Sequence, residues 1–150
     1  MHTEDDLFDL EKLPYLHLSD IEGEVTEQTK AQVRVYNGQT LILIEAINRH
    51  IQSGEGRTKK YHYWPELLQT LEAFYHHGGE VPNTPFFVSI KALVETSELP
   101  KARVKKYVQT LMELGLITIS GRGGSVSYSM IHTREQLIEA GMRVEGFQAQ

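Results

Sequence analysis

Lys101, Arg103, Lys105 and Lys106 fall within two turns of one expected helix, and Gln109 follows one turn later. Ammonium, guanidinium and amide groups at that density can neutralise phosphates and bond to base edges in a duplex groove. Arg122, in the glycine-rich stretch GRGG, would sit at the tip of a hairpin and add one more cation. Arg57, Lys59 and Lys60, mixed with Tyr61 and Tyr63 in SGEGRTKKYHY, form a second basic and aromatic group of the kind that tracks a phosphate backbone. A solvated loop between helices is the blander account of that group and the preferred one. The loop also lacks the GxxxxGK[ST] spacing of a nucleotide cradle.

Catalytic chemistry finds little support. The chain has no cysteine, so disulfides and thiolate nucleophiles are excluded. Seven histidines form no HExxH or similarly spaced metal set, and no GxSxG elbow occurs. His76 and His77 stand at the end of an expected helix, where partial positive charge complements the dipole. The expectation is a protein that is not an enzyme and has no metal or cofactor.

The elements that must position the cations read in order. Ser89 is an N-cap, and Ile90, Leu93 and Val94 line one side of a helix ending near Thr96. Pro100 opens a second helix, in which Val104, Val108, Leu111 and Leu114 recur at intervals of four, three and three. Gly115 stops it with a positive φ. Ile117 and Ile119, then Val126, Tyr128 and Met130, alternate with polar residues as two half-buried strands joined through GRGG. Upstream, Leu67, Leu68, Leu71, Phe74 and Tyr75 form a helical stripe closed by Gly78 and Gly79.

Helix, short turn, basic helix and glycine-tipped hairpin over residues 87–131 make a winged helix-turn-helix pattern. The spacing from Leu93 through Leu99, Val104 and Leu111 to Gly115, Leu116 and Ile117 resembles bacterial winged-helix transcription regulators, broadly of the MarR type, over residues 65–131. The resemblance implies that residues 101–109 form a recognition helix and that Arg122 on the wing reaches a minor groove or a phosphate. It also implies that helices outside the winged core build a dimer.

The expected fold is therefore mostly α with a small β-hairpin wing: a winged helix-turn-helix with extra N-terminal and C-terminal helices. Residues 1–24 form an acidic arm and residues 25–150 a single domain, with its core at 65–131 and flanking helices at 39–52 and 134–141. The first flanking helix carries Leu41, Ile44, Ile47 and Ile51, with Ile42 and Leu43 broadening the stripe. Such a helix is buried on both sides, either inside the monomer or against a symmetry mate. Asn37-Gly38 between VRVY and QTLILI is also a strong hairpin signal, so residues 31–44 read as hairpin or helix; a helix after Gly38 is favoured. In the tail, Thr133 and Gln136 form a capping box, and Gly141 is expected to end that helix.

The formal net charge of −5 divides unevenly. Residues 1–30 hold nine acids against two bases, residues 31–150 eleven against thirteen, and residues 85–132 six bases against three acids. The reading head is thus locally basic, and the acidity belongs to the arm. With Leu7, Phe8, Leu10, Leu13, Tyr15, Leu16 and Leu18 among its acids, the arm could be a solvated tail, a segment exchanged across a dimer, or a competitor lying on the basic head; it could also take a protein partner. The solvated tail is preferred. No signal-like start and no apolar run of about 18 residues occur, so a cytoplasmic protein without a membrane span is expected. The functional expectation is sequence-specific double-stranded DNA binding as a homodimeric transcription regulator. The alternative is a winged-helix protein-interaction module in a replication, partition or phage-encoded assembly.

Overall fold

The computed structural model describes residues 6–78, 84–121 and 126–150. Among the described residues there are five α-helices and one two-stranded antiparallel hairpin, besides short 3-10 turns: α1 Glu27–Gln52, α2 Trp64–Gly78, α3 Ile90–Ser97, α4 Lys101–Glu113, β1 Ile117–Ser120, β2 Ser127–Met130 and α5 Arg134–Gln148. The chain divides into two compact units. Residues up to Thr58 join Arg134–Gln150 in the first unit, and Lys59–Thr133 form the second. Among the described residues no helix is long and apolar enough to cross a membrane.

In the first unit, α1 starts twelve residues before the expected position 39. Thr26 caps it by accepting a bond from the Thr29 N–H, so Asn37 and Gly38 lie in the middle of a 26-residue helix, and the hairpin alternative is excluded. The glycine is there for contact with α5. A Cβ built on Gly38 would stand 1.9 Å from the Leu137 carbonyl oxygen, and one on Gly141 would stand 2.2 Å from the Arg34 carbonyl oxygen. The two backbones touch, and each helix supplies the missing side chain. Gly141 therefore does not end α5, which runs on to Gln148. Close approach also brings two bidentate ion pairs across the crossing: Arg34 to Glu145 at 2.6 and 3.2 Å, and Arg143 to Glu45 at 3.3 and 2.9 Å. The expected apolar stripe of α1 is broad, with Leu41, Leu43, Ile44, Ala46 and Ile47 all fully buried within a single chain.

The acidic arm is not a solvated tail over its described length. Short 3-10 turns at Leu10–Lys12 and Leu18–Asp20 fold it, and Tyr15 packs with Leu41, Ala140 and Val144, flanked by Leu10, Leu13, Ile42 and Phe147. Burial of the Tyr15 ring, and then the nearby Glu45 carboxylate, push its phenol up to about 12. Two asparagines of α1 hold the arm's backbone. Asn37 accepts from the Leu16 N–H at 2.9 Å and donates to the Leu16 carbonyl at 2.9 Å. Asn48 does the same for Phe8, at 3.0 and 3.1 Å. Eleven residues make about three helical turns, so both amides lie on one face. The Gln148 side chain adds a bond to the Leu16 carbonyl from α5.

In the second unit, Leu67, Leu68, Leu71 and Phe74 of α2 are buried, as are Leu93 of α3 and Val104, Tyr107, Val108 and Leu111 of α4, and the three helices pack on one another. Ser89 caps α3 by accepting from the Ala92 N–H. Glu98 takes the left-handed conformation at φ 62° that ends it, and its N–H bonds back to Val94. Gly115, at φ 75°, ends the helical run before β1. The hairpin pairs Ile117 with Met130 and Ile119 with Tyr128. A bridge the sequence did not reveal joins Phe86 to Tyr128 through bonds of 2.8 and 2.9 Å. Phe74 packs edge-on against both Phe86 and Tyr128, with ring centres 6.4 and 5.0 Å away. Of the two strand isoleucines, Ile117 is buried but Ile119 is 43% exposed, so β1 does not alternate as expected. Gly79 and the hairpin tip with Arg122 lie outside the described residues.

Two outcomes check the first unit. Gly38→Ala should destabilise the protein by about 3 kcal/mol, because the contacting atom is backbone and cannot rotate away; an unchanged thermal midpoint would show that the helices do not meet there. Asn48→Ala should raise the hydrogen-exchange rate of the Phe8 amide by at least about tenfold, since that N–H loses its acceptor. Equal exchange in both proteins would mean the arm is held by other contacts.

Candidate nucleic-acid interface

The sequence of α4 separates its faces. Val104, Tyr107, Val108 and Leu111 are buried, and the remaining arc carries Lys101, Ala102, Arg103, Lys105, Lys106 and Gln109, all exposed. Pro100 precedes the helix as its cap residue in extended conformation, so Lys101 is the first helical residue. That departs by one position from an opening proline inside the first turn. Acids are absent from the first turn of α4, which leaves its first six residues with no charge but positive.

Arg103 stands at one margin of that arc, as Lys101 does at the other. At 3.6 residues per turn it points about 100° away from the centre of the exposed side. This direction turns it toward α2, where its Nη1 meets Glu66 Oε2 at 3.1 Å. The other carboxylate oxygen of Glu66 accepts from the Tyr107 hydroxyl at 2.5 Å. Burial of the Tyr107 ring, followed by this bond and the carboxylate charge, push its phenol up to about 12. Arg103 is therefore an exposed cation in an intramolecular pair, with 56% of its side-chain surface open. Arg103 thus differs from a bare cation in having a carboxylate already on it.

The loop cations also divide. Lys60 pairs with Glu113 at 3.4 Å and lies 5.5 Å from the centre of the Tyr61 ring, while Tyr61 itself is buried. Lys59 is exposed in the short turn Thr58–Tyr61. Arg57 is exposed and falls in the first unit. Arg122 falls among the residues outside the description.

Glu66, Tyr107 and Glu113 are the participants that sequence reasoning missed. Tyr107 and Glu66 carried a faint signal. Tyr107 lies four residues after Arg103, one turn along the same flank, and Glu66 stands in the first turn of α2, where a helix N-terminus favours an anion. Their meeting depends on how α2 packs against α4, which spacing within either helix cannot show.

A concavity of about 330 Å³ lies between α2 and the end of α3, lined by Gln69, Glu72, Ala73, His76, Thr96, Ser97 and Glu98. Burial raises the Glu72 carboxyl above its usual range. His77 Nε2 and the Thr96 hydroxyl stand 2.6 Å apart beside it. Among the described residues no group of three or more His, Asp or Glu is arranged to hold a metal ion.

No family model, curated protein or solved structure matches the chain.

Proposed function

We propose that the chain is a winged helix-turn-helix protein that binds double-stranded DNA in a sequence-specific way, as a cytoplasmic transcription regulator. The observation that carries the reading is the solvent side of α4: Lys101, Lys105, Lys106 and Gln109 are exposed while its other side is buried. The order in the second unit is consistent with it. Helix α2, the Phe86 bridge, α3, α4 and the hairpin follow one another as a winged helix requires. In this reading α4 enters a major groove, the lysines contact phosphates and guanine edges, and Gln109 bonds to adenine. Arg122 is the wing contact, and Arg57, Lys59 and Lys60 are backbone contacts at the margin.

Three lysines and one amide are a small reading surface, so useful affinity calls for a second copy, and a homodimer on two half-sites is the assembly proposed. Two measurements test the reading. Duplex titrated at about 50 mM salt should bind, with affinity falling steeply as salt rises, and the triple change of Lys101, Lys105 and Lys106 to alanine should weaken binding more than tenfold. No binding at that salt, or binding indifferent to the three changes, would refute the proposal. Light scattering after size exclusion should return twice 17.1 kDa; a monomer at tens of micromolar would remove the dimer.

Pairing of Arg103 with Glu66 and of Lys60 with Glu113 reduces the charge open to phosphates, and Phe87 is 66% exposed. Those observations favour a second reading: a protein-docking winged helix in a replication, partition or phage-encoded assembly, with the acidic arm as another candidate for a protein contact. That reading gains if the duplex does not bind.

A further inference from the structure

The contact between Glu66 and Arg103 has a meaning for binding that goes beyond holding α2 against α4. A carboxylate gives a guanidinium the same kind of charge-assisted acceptor that a phosphate offers. Glu66 is well fixed in that role. It sits in the first turn of α2, where the helix dipole favours an anion, and the Tyr107 hydroxyl holds its second oxygen at 2.5 Å. Its side chain is 24% exposed, whereas that of Arg103 is 56% exposed. The arginine is thus half in solvent on the flank of the lysine-bearing face, with a resident anion already on it.

We propose that Glu66 is an affinity-setting residue of the α4 surface: it withholds Arg103 from DNA phosphates and keeps sequence-independent binding low. The inference rests on the DNA-binding reading given above. Its consequence is a division of labour along α4. Lys101, Lys105, Lys106 and Gln109 meet the duplex, and Arg103 contributes to phosphate binding only where a phosphate displaces Glu66. A head with few contacts gains discrimination this way, since phosphate contacts strengthen binding to every sequence alike.

The test is anisotropy titration of a labelled duplex of random sequence, from 50 to 200 mM salt, using the full chain. Glu66→Gln keeps the shape of the side chain, can still accept from Tyr107, and removes the charge that holds Arg103. It should bind more tightly than wild type at 50 mM salt. One added phosphate contact steepens the slope of log affinity on log salt by about 0.9, so the variant should lose about 3.5-fold more affinity than wild type over that salt range. In an Arg103→Ala background the same change should give no steeper slope. Tyr107→Phe, which removes the hydroxyl bond and leaves the carboxylate charge, should keep the wild-type slope.

Wild-type binding with an unaltered or weaker Glu66→Gln variant overturns the inference alone. A gain that persists in the Arg103→Ala background also overturns it, because the carboxylate would then be acting by general repulsion. So does a Tyr107→Phe slope as steep as that of Glu66→Gln, which would trace the effect to packing. Absence of duplex binding by every form, wild type included, overturns the inference together with the DNA-binding reading.

Discussion

Backbone contact between α1 and α5 is the constraint on which the first unit depends. Gly38 and Gly141 each sit in a helix interior, where glycine costs about 1 kcal/mol relative to alanine. That cost is offset only because each glycine admits a carbonyl of the other helix. Once the axes are that close, Arg34 and Glu45 reach Glu145 and Arg143 with both ends of their side chains. Leu41, Ala140 and Val144 then form one apolar surface wide enough to hold Tyr15. Asn37, beside Gly38 on the helix, is left facing the arm, and its amide meets the Leu16 backbone. The ion pairs, the apolar cluster and the arm's anchorage all follow from two missing Cβ atoms.

The same dipeptide explains why part of the fold could not be read in advance. Asn-Gly in a local reading signals a tight hairpin, because both residues tolerate positive φ. Here neither property is used: both residues are helical, Asn37 serves as a paired donor and acceptor, and Gly38 serves as a notch. Both needs arise from segments distant in sequence, the arm and α5. Gly141 misleads in the same way, as a helix end in sequence and a contact point in space. Where burial alone decides, local spacing is a closer guide to the fold. The 3.6-residue spacing of Val104, Leu111 and their neighbours marked α4, and Ser89 marked the start of α3, because caps and stripes are local. Phe86 lay outside that logic: a single bridging residue has no period to detect.

For the candidate interface, residue type was legible and direction was not. Lys101, Lys105, Lys106 and Gln109 stand on the exposed side because the buried stripe fixes the rotation of α4. Arg103, like Lys101, lies at a margin of the stripe, and on its side a carboxylate of the neighbouring α2 reaches it. Formal charge counting treats all four cations alike and so overstates the open charge of this surface. Pairing matters more than the count: a guanidinium engaged by a fixed carboxylate must exchange one anion for another, which yields less than a fresh contact.

Two polar devices in this chain use the same principle with different outcomes, and burial separates them. Asn37 and Asn48 satisfy a backbone N–H and a carbonyl each, and both are nearly buried, at 1% and 8% exposure. Removing such an amide breaks two backbone bonds of the arm at once, so these amides are structural. Glu66 also satisfies two groups, but its pair with Arg103 lies at the surface, where exposed ion pairs contribute about 0 to 1 kcal/mol. A competing anion can displace an interaction of that size. It cannot displace the asparagine clamps. The single, solvent-facing pair is therefore the one suited to exchange with a ligand, and the doubly bonded amides are the ones suited to hold the arm in place.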